Sequence, residues 1–143
     1  MRTLTTIVAA VLVTGAAFAQ SPRAVDFPIV RGQVDFVLPS SNIQCIYTQA
    51  GGTPIYTPAG GGPELSCDRR EPAYVNVTLG RTGLPKRTND PGEQSCCGSA
   101  NTLGYDQTWA AGPFSCSSST AGLTCQRSDG RGFSLSRAKI ELF

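Results

Sequence analysis

The chain has 143 residues, 12 basic against 10 acidic side chains, and no histidine. Charge balanced this evenly leaves no electrostatic footprint for nucleic acid, and Arg69-Arg70 and Lys86-Arg87 are isolated pairs rather than a basic stripe. Without histidine there is no Ser-His-Asp or Cys-His constellation and no imidazole base.

The first residues read as a leader. Met1-Arg2 supplies one positive charge, Leu4 to Phe18 is apolar or small throughout, and Ala17-Phe18-Ala19 has the small-x-small form that signal peptidase accepts. This order marks residues 1–19 as a secretory signal peptide. The apolar run is shorter than the roughly 20 residues of a spanning helix, and Gln20-Ser21-Pro22-Arg23 follows at once, so no membrane span is expected after cleavage. No cysteine follows the cleavage site, which argues against a lipid anchor. The expected location is secreted or periplasmic. Residues 20–33 are read as an N-terminal extension and residues 34–143 as one domain, with 11 basic and 10 acidic side chains left once Arg2 is gone.

The mature chain alternates short apolar–polar stretches with turn residues. Val34 to Leu38, Ile43 to Tyr47, Tyr74 to Leu79, Phe114 to Ser117, Leu123 to Gln126 and Phe133 to Ser136 each fit a period of two better than 3.6. Gly, Pro, Ser and Thr recur too often for long helices. The fold class expected is mainly β: a small antiparallel sheet, or a sandwich or barrel-like domain. Residues 50–63 (AGGTPIYTPAGGGP) are expected to form a long, mobile excursion, and residues 81–95 a second, more charged loop. The last third reads as a three-stranded meander, turning at residues 118–122 and 128–132.

Six cysteines in an exported chain of this size read as disulfides. Cys116 and Cys125 lie near the middles of two hairpin strands, where a cross-strand bridge can form. Cys45–Cys67 would close the Gly/Pro-rich excursion at its base. Each bridge would contribute about 3 kcal/mol through loop closure. Cys96-Cys97 is different, because adjacent Cα atoms across a trans peptide are about 3.8 Å apart, below the usual disulfide range of roughly 4.4–6.8 Å. Such a bridge would be strained and easier to reduce, so the pair is either a redox or ligand-responsive switch or a structural pair, vicinal or reshuffled with the others. No CxxC spacing and no histidine supports a zinc site, and no metal or other cofactor is expected.

The ten carboxylates are scattered, and no pair is marked by context as a glycosidase couple. Gly60-Gly61-Gly62 lacks the Lys-Ser/Thr of a phosphate loop, and Asn76-Val77-Thr78 matters as a glycosylation pattern only on a eukaryotic secretory route. The most suggestive constellation is Tyr105-Asp106-Gln107-Thr108-Trp109, which holds the only tryptophan beside a carboxylate and an amide. Ring faces next to such groups suit a sugar or a peptide, and Tyr105, Asp106 and Trp109 form the candidate ligand site. The competing reading makes Trp109 the largest core residue of a small β domain. Tyr47 and Tyr56 are weaker candidates.

Several segments share a wider pattern. It begins with Phe36-Val37-Leu38-Pro39-Ser40-Ser41-Asn42-Ile43-Gln44-Cys45, followed by Cys67-Asp68 and by Leu103-Gly104-Tyr105-Asp106-Gln107-Thr108-Trp109. It closes with Phe114-Ser115-Cys116, Gly122-Leu123-Thr124-Cys125, Gly130 to Arg137 and Leu142-Phe143. This pattern resembles a widespread family of small exported bacterial domains to which no function is assigned. In that family glycine usually stands where Ser41 and Asp106 stand here, and histidine where Arg131 stands. The resemblance implies a bacterial source, export and a disulfide-bonded domain, but no activity. Family members usually have a third bridge whose earlier cysteine lies between residues 68 and 95; this chain has none there, which favours Cys96–Cys97 as a vicinal bridge.

Together these observations point to a non-catalytic envelope domain that binds a cell-wall glycan or another exported protein. The alternatives are a secreted hydrolase inhibitor presenting the 50–63 loop, and a purely structural or redox-responsive envelope protein.

Overall fold

The computed structural model describes residues 12, 14–93 and 96–143, so most of the leader's apolar run lies outside the described residues. Two sheets carry the fold, each containing a meander of five consecutive strands. The first is a five-stranded antiparallel meander of β2 (Gln33–Val37), β3 (Ile43–Thr48), β4 (Glu64–Arg69), β5 (Val75–Leu79) and β6 (Lys86–Asn89). In the second, β7 (Gln107–Ala111), β8 (Phe114–Ser119), β9 (Gly122–Arg127), β10 (Gly132–Leu135) and β11 (Ile140–Leu142) form a second meander. Its other edge is β1 (Arg23–Ala24), which runs parallel to β7. The expected three-stranded meander of the last third is present as β8–β9–β10. Neither sheet closes into a barrel. Among the described residues, no helix is long and apolar enough to cross a membrane.

Alternation builds the core. Val34 and Phe36 of β2, Cys45 and Tyr47 of β3, and Leu65 and Cys67 of β4 point inward, as do Val75, Val77 and Leu79 of β5. They meet Trp109, Phe114, Cys116, Leu123, Cys125, Phe133 and Leu135 of the second sheet. Each such burial contributes ~1.5–3 kcal/mol, which is how short strands of weak individual propensity hold together. Residues 20–33 join the body, since Val25 and Phe27 pack on this core and the Phe27 and Phe36 rings stack at 5.8 Å.

Two bridges link neighbouring strands directly. Cys45 pairs with Cys67 across β3 and β4, and Cys116 with Cys125 across β8 and β9, each with Cα atoms 4.1 Å apart. The sulfurs of Cys45, Cys67 and Cys125 all lie within 4.8 Å of one another, so one bridge faces the other across the sheets. Cys96 and Cys97 are bridged to each other.

Two buried arginines bind the sheets to each other. Arg69 of β4 donates through Nη1 to the Ser136 carbonyl at 3.0 Å, beyond the end of β10. Arg127 of β9 donates to the carbonyls of Gly80 and Gly83 at 2.7 and 2.8 Å, and its charge is met by Asp129. Hydrogen bonds from a charged donor contribute ~1.5–3 kcal/mol each, and these carry the charge of an otherwise costly buried group.

Two loop expectations need correction. Residues 81–95 contain a strand: β6 pairs with β5 in the register Val77↔Arg87. All four β6 residues are exposed, so Lys-Arg-Thr-Asn shows no apolar alternation, and its charges guard a free edge. Residues 50–63 are folded on themselves rather than a mobile excursion. The Gly51 amide donates to the Gly61 carbonyl at 2.8 Å, the Thr53 amide to the Tyr56 carbonyl at 2.7 Å, and a 3-10 turn forms at Ala59–Gly61.

Candidate functional site

The expected trio Tyr105, Asp106 and Trp109 is split by the fold. Trp109 is 2% exposed and lies opposite Cys116 on the inward face of β7. Its ring packs 5.0 Å from Phe36 and 5.8 Å from Tyr47, both of the other sheet. It cannot offer a ring face to a ligand, which corrects the expectation. The cause is parity: from Gln107 onward the chain is a strand, and Trp109 falls on the core-facing phase. Asp106 occupies the turn before β7 with φ of 58°, its backbone bonded to Ser118 and Arg23. Tyr105, at 42% exposure, and the exposed Asp106 both remain available, and of the two Tyr105 lines a groove.

Tyr105 stands at the rim of a groove built by turns from both sheets. One cleft of about 210 Å³ is lined by Tyr105, Ser40, Asn42, Thr120 and Arg137. A second of about 230 Å³, lined by Thr124, Ser134, Lys139 and Glu141, adjoins it through the shared Ser119, Ala121, Gly122 and Ser136. The walls are fixed from below. Asn42 donates through Nδ2 to the Glu71 carbonyl at 3.1 Å and accepts the Glu71 amide at 2.8 Å, while Glu71 holds Arg137 at 3.6 Å. Gly122 has φ of 129°, and a Cβ there would collide with the Leu135 carbonyl, so only glycine lets this turn lie against β10. The result is a hydroxyl-rich groove with an aromatic at one end and cations beside it.

The outer face of the five-stranded sheet carries a second polar region that the sequence reading passed over. Glu64, Ser66 and Asp68 alternate along β4 with the buried Leu65 and Cys67. Tyr56 donates to Glu64 Oε1 at 2.7 Å, and a cleft of about 360 Å³ opens over Glu64 and Thr78 between Gly60 and the Arg81–Lys86 segment. The hydrogen bond to Glu64, then burial and the carboxylate's charge, push the Tyr56 phenol up to about 12 from its ordinary 10.0. A folded pKa above the unfolded one means that this pairing contributes fully below pH 10 and is lost as pH rises through about 12. A pH-jump absorbance titration of Tyr56→Phe against the parent is expected to place the missing step near pH 12; a missing step near pH 10 would overturn the pairing.

Asp68, 9% exposed, lies at the other end of that face. Burial raises its pKa, opposed by hydrogen bonds from Asn76 and from the Tyr74 hydroxyl. The Cys96 amide donates to Tyr74 Oη at 3.3 Å, and the Gly98 amide donates to Gln44 Oε1 at 2.7 Å. Cys96-Cys97 is thereby fastened over buried polar groups. The alternation Glu64-Leu65-Ser66-Cys67-Asp68 was the available sign that this face is polar. Cys45, Cys67 and Cys125 stand at metal-ligand spacing, yet bridged sulfurs offer no thiolate to an ion.

No family model, curated protein or solved structure matches this chain.

Proposed function

We propose that this chain is an exported, non-catalytic domain of the bacterial envelope that binds a cell-wall glycan in the groove beside Tyr105. The observation that carries the reading is the half-open Tyr105 ring at the end of a groove whose walls mix six Ser and Thr hydroxyls with apolar and charged side chains. A ring face covers the C–H face of a sugar while hydroxyls and amides meet its polar groups. Arg137 and Lys139 at the groove are each paired with a carboxylate, Glu71 and Glu141, so the groove offers a sugar both charged and hydroxyl hydrogen-bonding groups. Two adjoining clefts fit an extended chain better than a single small molecule.

Export is supported by the leader pattern of residues 1–19 and by six bridged cysteines. The two buried carboxylates do not form a glycosidase couple. Glu64 and Asp68 are four strand residues apart, roughly 13 Å at the rise of a β-strand. Glycosidase pairs stand roughly 5–9.5 Å apart.

The inhibitor reading gains one feature, Ile55, which is 97% exposed at the tip of the 50–63 loop. The hydrogen bond across Thr53 and Tyr56 turns the chain sharply there, whereas strand-like docking into a partner's cleft takes an extended segment.

Titration calorimetry with soluble N-acetylglucosamine–N-acetylmuramate fragments tests the glycan reading. Tyr105→Ala is expected to weaken binding about tenfold, or ~1.4 kcal/mol, with the melting temperature unchanged. Absence of binding by the parent protein sinks the glycan assignment, and retention of an exported protein on the same groove replaces it.

A further inference from the structure

The three bridges differ in what can reach them. Cys45, Cys67 and Cys125 are fully buried and Cys116 is 2% exposed, all between the sheets. Cys96 and Cys97 are half-buried and lie on the outer face of the five-stranded sheet. Thiol–disulfide exchange needs an incoming thiolate to approach one sulfur, so access separates these pairs kinetically. A soluble thiol meets the outer pair directly and meets the inner pairs only when the core opens.

The surroundings also separate the pairs by consequence. Opening Cys45–Cys67 or Cys116–Cys125 frees two strands that the bridge ties, whereas Cys96–Cys97 ties a residue only to its neighbour and closes no chain loop. Other contacts hold that segment in place. The Cys96 amide is on Tyr74 Oη, the Gly98 amide on Gln44 Oε1, and Asn101 Nδ2 donates to the Asp35 carbonyl at 2.9 Å. Thr102 is paired with Val37 just beyond. None of these contacts uses a sulfur atom, so the pair can open without releasing the backbone that presents it.

We propose that Cys96–Cys97 is a reversible exchange site for small soluble thiols of the glutathione class, on a domain kept folded by its two inner bridges. The thiolate of one such molecule attacks one sulfur of the pair. The Cys96–Cys97 bond breaks, a mixed disulfide forms, and the neighbouring cysteine leaves as a thiolate that takes a proton from water. A second thiol displaces the first from the mixed disulfide, leaving two protein thiols and one small-molecule disulfide. Two electrons pass from the two small thiols to the pair, and the oxidised small molecule drives the reverse. The reduced form is a vicinal dithiol, the arrangement that chelates a trivalent arsenical through both sulfurs.

The test equilibrates the native protein with mixtures of reduced and oxidised glutathione, traps thiols by alkylation and maps them by mass. Alkylation is expected at Cys96 and Cys97 alone, with an unchanged circular dichroism spectrum, capture of one equivalent of phenylarsine oxide, and full reversal by oxidised glutathione. Label at Cys45, Cys67, Cys116 or Cys125 at the same poise overturns the proposal, as does the absence of any label before the protein unfolds. Cys96→Ser with Cys97→Ser in one chain is the second arm. This variant is expected to melt as the parent does and to take no label; a variant that fails to fold makes the pair a structural staple and overturns the proposal. Neither arm depends on glycan binding.

Discussion

Trp109→Ala is expected to cost the domain a large share of its stability, not merely to silence a binding site. Truncating a buried tryptophan costs ~3–5 kcal/mol, because the lost contacts leave a cavity that the neighbours fill only in part. Net stability of a small domain is about 5–15 kcal/mol, and a chain of this size lies toward the lower part of that range. Phe36 and Tyr47 close on the indole from the opposite sheet at 5.0 and 5.8 Å, so its loss removes contacts that join the two sheets. Denaturation followed by far-ultraviolet circular dichroism is the measurement, since the variant has no tryptophan to report. Trp109→Phe keeps a ring on this contact and is expected to lose clearly less. In the parent protein the tryptophan emission is expected to be blue-shifted and shielded from acrylamide. An unchanged midpoint for the alanine variant, or a quencher-accessible signal, would place the indole at the surface.

The same residue shows where the sequence was readable. Strand alternation between Phe114 and Leu135 is strict enough to reveal β8, β9 and β10, with Cys116 opposite Cys125. Around Trp109 the clue is masked. Tyr105 and Asp106 belong to a turn, and the inward Gln107 and outward Ala110 reverse the usual polarity of a strand. Trp109 therefore looks like part of a polar cluster until the register places it opposite Cys116. β6 was hidden for a different reason, since an edge strand exposed along its whole length carries no apolar code. The groove at Tyr105 joins Ser40, Thr120, Ser136 and Arg137 from turns far apart in the chain, and only the pairing of two sheets brings them together. Tyr56 and Glu64 meet by the folding of a Gly-rich loop, whose path is set by backbone hydrogen bonds that no side-chain pattern announces.

Removing both inner bridges, by alanine at Cys45, Cys67, Cys116 and Cys125, is expected to leave the chain unfolded at neutral pH and room temperature. Loop closure assigns ~3.4 kcal/mol to the bridge of sequence separation 22 and ~2.7 kcal/mol to that of separation 9. Their joint loss of ~6 kcal/mol is comparable with the whole net stability of a small domain. Packing adds to it, because Cys45 and Cys67 lie within 4.8 Å of the Cys125 sulfur, and the voids left by the two pairs merge in the centre of the core. Each pair removed alone is expected to leave a folded domain, with the Cys45/Cys67 variant the less stable by a few tenths to one kcal/mol. Urea titrations of the three variants against the parent measure this order directly. A folded quadruple variant would show that the apolar contacts between the sheets and the arginines reaching across them suffice. The inner bridges would then be dispensable, and their burial would no longer account for a domain that stays intact while Cys96–Cys97 opens.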